Sequence, residues 1–361
     1  MKVFILSNIL EKLKSIEQTT LYGLQTKNRI IISSLKEKPG LSKIGKYQKK
    51  KQHLIETLMN EVFTFYLKKN QLYCIYNQGG EEPNEILAVE MINYSTDFQK
   101  RNHGIIDESV LQKKTVLIIG LGSGGSEIAV SLARAGVANF ILIDFDTVNI
   151  SNICRSVYDV FDIGKRKTNA IFYKLLMINP TLNIKLFNED VLEMADQSLR
   201  NAIDTSDIII EATDSVKTKV FINGLAYHSK PVLYPSVYDL GQGGDILFTI
   251  PGLPCFECVF KSITKEMKEL KKGDWDYSSG QTKPMPALIS DIKVVAARTV
   301  KIALAILTAN TKDCFIEKIT EPGCTILFIG NEKGSFIFEK PFQEVWAETT
   351  IDPECSCQTL R

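Results

Sequence analysis

The chain has 361 residues, of which 44% are hydrophobic and 24% are charged, proportions typical of a water-soluble globular protein. A formal net charge of +1 at pH 7 gives no electrostatic reason to expect a nucleic acid or an acidic membrane as partner. No apolar run approaches the length of a membrane span, and charged residues follow directly after the short apolar start. We therefore expect a cytoplasmic protein with no nucleic-acid or membrane partner.

Residues 1–105 mix short apolar runs with lysine-rich polar stretches. The runs Ile30 to Ser34, Gln71 to Tyr76 and Ile86 to Ile92 are typical of strands, whereas His53 to Leu67 has helical spacing. No group of residues in this region suggests catalysis. We predict a small α+β domain, winged-helix-like in outline, that serves for binding or dimerisation.

Residues 115–146 contain the strongest motif of the chain. Val116 to Ile119 is typical of a buried strand, Ser126 to Ala135 has helical periodicity, and Phe140 to Ile143 is a second strand that ends in Asp144. Glycines with GxGxxG spacing, and one extra glycine, occupy the first turn: Gly120, Gly122, Gly124 and Gly125. The pattern predicts a β-α-β unit.

Glycine is needed in such a turn because the backbone turns tightly and phosphate oxygens approach its N–H groups at a helix N-terminus. Asp144 lies where an acid reaches a ribose hydroxyl. The unit therefore predicts nucleotide binding. The alternative is a glycine-rich turn in a purely structural β-α-β unit.

Predicted strands and helices continue to alternate after Asp146, which favours a doubly wound, mostly parallel, Rossmann-like α/β sheet over residues 106–361. The predicted elements are a helix from Lys165 to Met177, strands at Ile184 to Phe187, Asp207 to Ala212 and Pro231 to Tyr234, and helices at Lys217 to His228 and Ala287 to Thr308. Residues 262–285 are polar and irregular, as expected of a crossover loop.

Polar groups cluster in the loops that follow these strands. Asn152 and Arg155 follow the strand that bears Asp144, and an amide and a guanidinium there suit phosphate oxygens. Lys165, Arg166 and Lys167 stand at a helix start, where cations oppose the macrodipole, so a bound anion explains them better than helix stability does. The alternatives are a surface loop and a solvated charge run.

Asp214 follows the apolar strand and is placed to hold Mg²⁺ on ATP phosphates. By itself it is equally compatible with a helix N-cap. A dehydrogenase needs no such cationic set, whereas nucleotidyl transfer does, because charge builds up on the departing pyrophosphate.

These motifs resemble the ThiF/MoeB adenylyltransferase family, the bacterial relatives of ubiquitin-activating enzymes. The hallmarks stand in family order as Gly-Leu-Gly-Ser-Gly-Gly, Ile-Asp-Phe-Asp-Thr-Val, Ser-Asn-Ile-Cys-Arg, Gly-Lys-Arg-Lys, Ala-Thr-Asp and Cys-Phe-Glu-Cys. The resemblance implies ATP-dependent adenylation of a carboxylate. It places Asp144 on the ribose, with Asp146 as a further nucleotide-binding residue, Asn152, Arg155 and Lys167 around the triphosphate, and Asp214 on Mg²⁺.

Eight cysteines occur along the chain: Cys74, Cys154, Cys255, Cys258, Cys314, Cys324, Cys355 and Cys357. We expect a reducing compartment, with these thiols free or on metal. The pairs Cys255–Cys258 and Cys355–Cys357 predict a closed tetrahedral zinc site. The family's second pair is C-x-x-C, so the C-x-C spacing here is a departure, and free or redox-active thiols are the alternative.

Two further departures from the family concern transfer of the substrate to a thiol and the formation of a homodimer. No cysteine lies between Cys258 and Cys314, where relatives that pass the substrate to a thiol keep their nucleophile, which argues for adenylation without thiol transfer. The family implies a homodimer, but residues 93–98 lack the Arg that family dimers often insert into the partner's site. Lys100 or Arg101 is the possible substitute.

The long segment before the glycine turn resembles the microcin-type members, in which an extra domain clamps a ribosomally made precursor peptide. We predict adenylation of a peptide carboxylate, with the peptide added as a strand to a sheet edge at Gln71 to Tyr76 or Ile30 to Ser34. The alternatives are activation of a ubiquitin-like sulfur carrier and a non-catalytic binding scaffold.

Overall fold

The computed structural model describes residues 1–38, 40–49, 61–77, 84–261, 286–309, 311, 321, 323–334, 337–355 and 357. The chain divides into two compact units, Met1–His103 and Gly104–Arg361. The expected crossover loop at 262–285 lies outside the described residues. Among the helices that the structure describes, none has the length and apolarity needed to cross a membrane.

The first unit is a closed barrel, built within its described residues from seven strands in the order β1-β3-β2-β4-β5-β6-β7, with β7 pairing back to β1. Its elements are β1 (Lys2–Leu6), α1 (Ser7–Leu13), β2 (Gln18–Thr26), β3 (Arg29–Ser34), β4 (Ser42–Gln48), β5 (Phe63–Lys68), β6 (Gln71–Tyr76), β7 (Glu85–Ile92) and α2 (Tyr94–Asp97). The strands expected at β3, β6 and β7 are confirmed.

The barrel corrects three expectations. Phe63, Phe65 and Leu67 alternate into the barrel core, so β5 replaces the end of the helix predicted from His53 to Leu67, and residues 53–60 lie outside the described part. The strands close on themselves rather than forming a winged-helix-like arrangement. Both β3 and β6 have a hydrogen-bonded neighbour on each side, so neither is a sheet edge open to a peptide strand.

The second unit is a sheet of eight described strands in the order β10-β9-β8-β11-β12-β13-β14-β15. Its elements are α3 (Glu108–Leu111), β8 (Thr115–Ile119), α4 (Ser123–Ala135), β9 (Asn139–Ile143), α5 (Ile150–Ile153), α6 (Lys167–Ile178), β10 (Asn183–Phe187), α7 (Asp196–Thr205), β11 (Ile208–Glu211), α8 (Val216–Ala226), β12 (Val232–Val237), β13 (Gly243–Thr249), α9 (Ile289–Leu307), β14 (Cys324–Gly330) and β15 (Glu344–Glu348). Strands β8 to β12 are parallel, and β13 to β15 run antiparallel to their neighbours. The predicted doubly wound, mostly parallel sheet is confirmed.

Successive apolar side chains of these strands point to opposite faces, so the sheet has a hydrophobic core on each face. Val116 and Ile118 pack on one face with α4 and α9, and Leu117 and Ile119 pack on the other with α7 and α8. The chain runs outward from β8 through β9 to β10, then returns to β11 on the other side of β8. Strands β8 and β11 therefore flank the topological switch point, and ligands of open α/β sheets bind outside the carboxyl ends of such strands.

Candidate functional site

The glycine turn joins β8 to the N-terminus of α4. Gly120 has a φ of +84°, and a Cβ there would lie 3.0 Å from the backbone nitrogen of Thr213. A Cβ on Gly125 would lie 2.0 Å from the Gly120 oxygen, so both positions require glycine. A Cβ on Gly122 or Gly124 would meet no described atom within 4 Å. The open side of the turn thus lies at the helix N-terminus, where backbone N–H groups suit an anion.

Leu121, within this turn, is held through both of its backbone polar groups. Its N–H donates to Oδ2 of Asp144 at 2.6 Å, and its carbonyl accepts the Tyr158 hydroxyl at 2.6 Å. Oδ1 of Asp144 accepts the Asp146 N–H at 2.8 Å. Burial raises the pKa of Asp144, against the opposing effect of Lys167 and these amides. Asp144 thus holds the turn in shape, a role that the sequence did not predict. The sequence did not indicate Tyr158 either, because no local pattern distinguishes it from other tyrosines.

Arg155 lies beside the start of α4. Its Nε donates to the Ser123 hydroxyl at 2.8 Å, which brings the guanidinium to the helix end that carries the glycine turn. Asn152 is engaged differently, because its Oδ1 accepts the Asn149 N–H at 2.8 Å in a capping box on α5. The structure therefore brings Arg155 to the expected phosphate site and gives the Asn152 oxygen a local structural partner.

Lys167 is the first residue of α6 and is largely buried. Its Nζ lies 2.7 Å from Oδ2 of Asp146, and its N–H donates to the Asp146 carbonyl at 2.9 Å. The two preceding cations are used locally: Lys165 pairs with Asp162 at 3.3 Å, and Arg166 donates to the Phe145 carbonyl. Arg166 and Lys167 thus both bond the loop after β9, and Lys167 does so through the Asp146 carboxylate.

Asp214 lies in the turn after β11 and is exposed. The N-cap of α8 is Ser215, whose hydroxyl accepts the Thr218 N–H at 3.2 Å, so the N-cap alternative for Asp214 is wrong. Within the described ranges the Asp214 carboxylate makes no hydrogen bond or ion pair. Uncommitted carboxylate oxygens are the ligands that Mg²⁺ prefers, so this residue fits the predicted metal contact.

A buried charged cluster lies beneath that turn and was missed from sequence. Glu211 ends β11 with 0% exposure, and burial raises its pKa to about 7 against the opposing effect of Lys219. The Lys219 Nζ donates to the Ser236 hydroxyl at 2.7 Å, and Asp245 accepts the Tyr238 hydroxyl at 2.9 Å. The signal available in the sequence was a carboxylate that ends an otherwise apolar strand.

The four predicted zinc ligands come together. Cys255 Sγ lies 3.6 Å from the Sγ atoms of Cys258 and Cys355, and Cys258 Sγ lies 3.6 Å from that of Cys357. All four sulfurs lie within 4.8 Å of one another. A tetrahedral zinc with Zn–S bonds of about 2.3 Å separates its sulfurs by about 3.8 Å, so the set fits zinc.

Comparison with known proteins places this geometry in a family. The chain matches the ThiF family over residues 96–318. It is 30% identical over 177 residues to the molybdopterin-synthase adenylyltransferase of Escherichia coli strain K12, covering 48% of this chain and 70% of that protein. It is 27% identical over 224 residues to ubiquitin-like modifier-activating enzyme 5 of Caenorhabditis elegans, covering 58% of this chain and 52% of that protein.

Solved structures of Escherichia coli MccB share the fold. MccB with ATP has a TM-score of 0.54 at 20% identity, covering 73% of this chain and 75% of that chain. MccB with AMPCPP and selenomethionine-labelled MccA also has a TM-score of 0.54, at 19% identity, covering 73% and 74%. The expected family resemblance is confirmed. The chain therefore belongs to the ThiF family, and it is an ATP-dependent adenylyltransferase.

Proposed function

We propose that this enzyme adenylates a carboxylate of a ribosomally synthesised precursor peptide, either at the C-terminus or on a Glu or Asp side chain. The observation that carries the proposal is the contact of two turns at the switch point, where Gly120 abuts Thr213 and Asp214 follows directly. With Arg155 at the start of α4, an anion-binding turn, a cation and an uncommitted carboxylate occupy the carboxyl ends of neighbouring strands. This arrangement suits transfer of AMP from ATP.

In the proposed reaction, a carboxylate oxygen of the peptide attacks the α-phosphorus of ATP in line. The new bond joins that oxygen to phosphorus, and the bond from phosphorus to the bridging oxygen breaks, so that pyrophosphate leaves with the electron pair. No general base is required, because the attacking carboxylate is already ionised at neutral pH.

The residues of this chain act on charge and position. The glycine turn binds phosphate oxygens through backbone N–H groups, and Asp144 contacts the ribose while it holds Leu121. Arg155 and Lys167 stabilise the negative charge that builds up on pyrophosphate. Asp214 would hold Mg²⁺, which supplies further positive charge beside the phosphates. The four cysteines would bind zinc and hold the C-terminal segment to the Cys255–Cys258 loop.

The first unit is proposed to recognise the peptide. Support comes from the solved structures, since MccB has been crystallised with MccA and shares the fold of this chain. Because β3 and β6 each have two strand neighbours, we propose recognition through side chains on the barrel surface rather than strand addition at these positions.

The second candidate is activation of a sulfur-carrier or ubiquitin-like protein. The sequence relatives favour it, since they are named as molybdopterin-synthase and ubiquitin-like activators. Against thiol transfer to this chain, no cysteine lies between Cys258 and Cys314. A non-catalytic scaffold is disfavoured because Asp144, Arg155, Lys167 and Asp214 are all retained.

The deciding experiment is ATP–pyrophosphate exchange with purified protein. Short peptides encoded beside the gene, and a small carrier protein ending in Gly-Gly, are supplied in turn. We expect exchange with the peptide and none with the carrier, and loss of exchange in Asp214→Ala but not in the exposed control Asp204→Ala. Exchange only with the carrier would support the second candidate, and none with either would support the scaffold.

We also propose that the enzyme is a homodimer. Large apolar side chains are exposed beside a groove of about 960 Å³ between α4, α6 and α9, including Phe161 at 84% and Met177 at 67% exposure. Large apolar side chains that are exposed beside a groove are a feature of interaction sites. A second copy of the chain is the proposed occupant, and sedimentation of wild type against Phe161→Asp tests it, with dissociation expected in the variant.

A further inference from the structure

We propose that Glu211 is a positioning residue, whose buried carboxylate sets, through Thr213, the turn that presents Asp214 to the magnesium ion of ATP. The inference rests on the proposed function, because it takes Asp214 as the Mg²⁺ ligand. Glu211 itself makes no contact with substrate or metal in this proposal.

The first argument is the bonding around the turn. Oε1 of Glu211 accepts the Thr213 N–H at 3.3 Å and also accepts the Thr213 hydroxyl hydrogen. The same hydroxyl oxygen accepts the Ser215 N–H at 3.4 Å. Both chain neighbours of Asp214 are thus tied to one carboxylate, directly or through Thr213. The Asp214 carboxylate itself makes no hydrogen bond or ion pair within the described residues.

The second argument is that the turn is confined from the opposite side. Gly120 packs so closely that a Cβ there would lie 3.0 Å from the Thr213 nitrogen and 3.0 Å from its methyl carbon. The N–H of Ala212 donates to the Ile119 carbonyl at 2.8 Å, which extends the β8–β11 ladder to the turn. Thr213 therefore has little room to move, because Glu211 holds it from below and Gly120 packs against it. This confinement fixes the distance between the glycine turn and Asp214.

The third argument is that stability does not explain Glu211. Its Oε2 is buried and finds no hydrogen-bond partner among the described residues. Lys219, at 7% exposure, is directed instead to the Ser236 hydroxyl. A buried carboxylate with one oxygen that accepts no hydrogen bond lowers the stability of the fold. Replacing such a group by an apolar residue is often neutral or stabilising. Its presence is explained if its Oε1 is needed to hold Thr213.

The test is calorimetric titration of ATP into the full-length protein, once with Mg²⁺ and once with EDTA. Thr213→Val removes the hydroxyl that bonds Glu211, and Glu211→Leu removes the acceptor. We expect both to weaken ATP binding about tenfold in Mg²⁺ and to leave binding in EDTA unchanged. Glu211→Gln keeps an Oε1 acceptor and should bind as wild type does. The matched control is Thr249→Val, a buried threonine on β13 of the same sheet.

A double variant makes the test specific. If Thr213 acts through Asp214, then Thr213→Val adds no loss in an Asp214→Ala background. Wild-type affinity for Mg·ATP in both Thr213→Val and Glu211→Leu would overturn the positioning role. Equal weakening in Mg²⁺ and EDTA would also overturn it, since that is the signature of general damage to the site. Wild-type protein that binds no ATP at all would instead overturn the proposed function.

Discussion

Asp144 and Leu121 are joined by a 2.6 Å hydrogen bond that connects the end of β9 to the glycine turn after β8. The bond uses a carboxylate oxygen that sequence reasoning assigned to the ribose. Since a carboxylate accepts several hydrogen bonds, Asp144 is able to hold the turn and still face a hydroxyl. The shape of the glycine turn therefore depends on the acid that follows the next strand.

Tyr158→Phe tests this arrangement without touching the carboxylate. The variant deletes the hydroxyl that donates to the Leu121 carbonyl, in a side chain that is 3% exposed. We expect a loss of about 1 kcal/mol in the free energy of unfolding, measured by urea denaturation, and weaker ATP binding. Tyr173→Phe, on the partly exposed face of α6, is the control and should change neither quantity. Unaltered ATP binding in Tyr158→Phe would contradict a role for Tyr158 in shaping the turn.

Arg155→Lys is not a conservative change at this site. The Arg155 guanidinium donates its Nε to the Ser123 hydroxyl, and its planar fork of donors matches phosphate oxygens, whereas an ammonium has no such fork. We expect pyrophosphate exchange to fall about 100-fold, with a smaller change in ATP affinity, because the charge to be stabilised develops in the transition state. The exposed Arg200→Lys on α7 is the control. A loss confined to ATP affinity would assign Arg155 to ground-state binding instead.

Zinc content tests the cysteine cluster. Burial raises the pKa of the Cys255 and Cys258 thiols to about 11, so a bound cation is needed to keep them as thiolates at neutral pH. We expect about one zinc per chain by elemental analysis, lost in a Cys255→Ser, Cys258→Ser double variant and kept in the exposed control Cys154→Ser. Native protein that contains no zinc would support the free-thiol alternative.

The raised pKa of Glu211 predicts that the stability of the protein depends on pH. Its pKa is raised by burial from 4.5 to about 7, so the native state keeps a proton that the unfolded chain releases between those values. The free energy of unfolding therefore falls as pH rises through this window, by about 3 kcal/mol in total, and is flat above it. Glu211→Gln removes this contribution. Urea unfolding of both proteins from about pH 5 to pH 8 should give curves that diverge with pH; parallel curves would contradict the raised pKa.

Most residues of the candidate site could be predicted from local sequence. Local patterns predict the sheet and the glycine turn without reference to distant segments. These patterns are the alternation of apolar strands and helices, the glycine spacing and the acid that follows β9. The cysteine pairs were found in the same way, because the spacing within each pair is short. These features depend on backbone conformation and on side-chain periodicity, which neighbouring residues settle.

Contacts between distant segments were decided only by the tertiary structure. The barrel closes because β1 pairs in parallel with both β3 and β7, and no local pattern specifies a partner strand across that separation. Lys219 comes close enough to Glu211 and to Asp245 to lower the pKa of each only once the sheet and its helices have packed, and the same packing brings the Tyr158 hydroxyl to the Leu121 carbonyl. Buried polar groups find such partners through the fold as a whole, because desolvation makes each of them costly until another element supplies its hydrogen bond or countercharge.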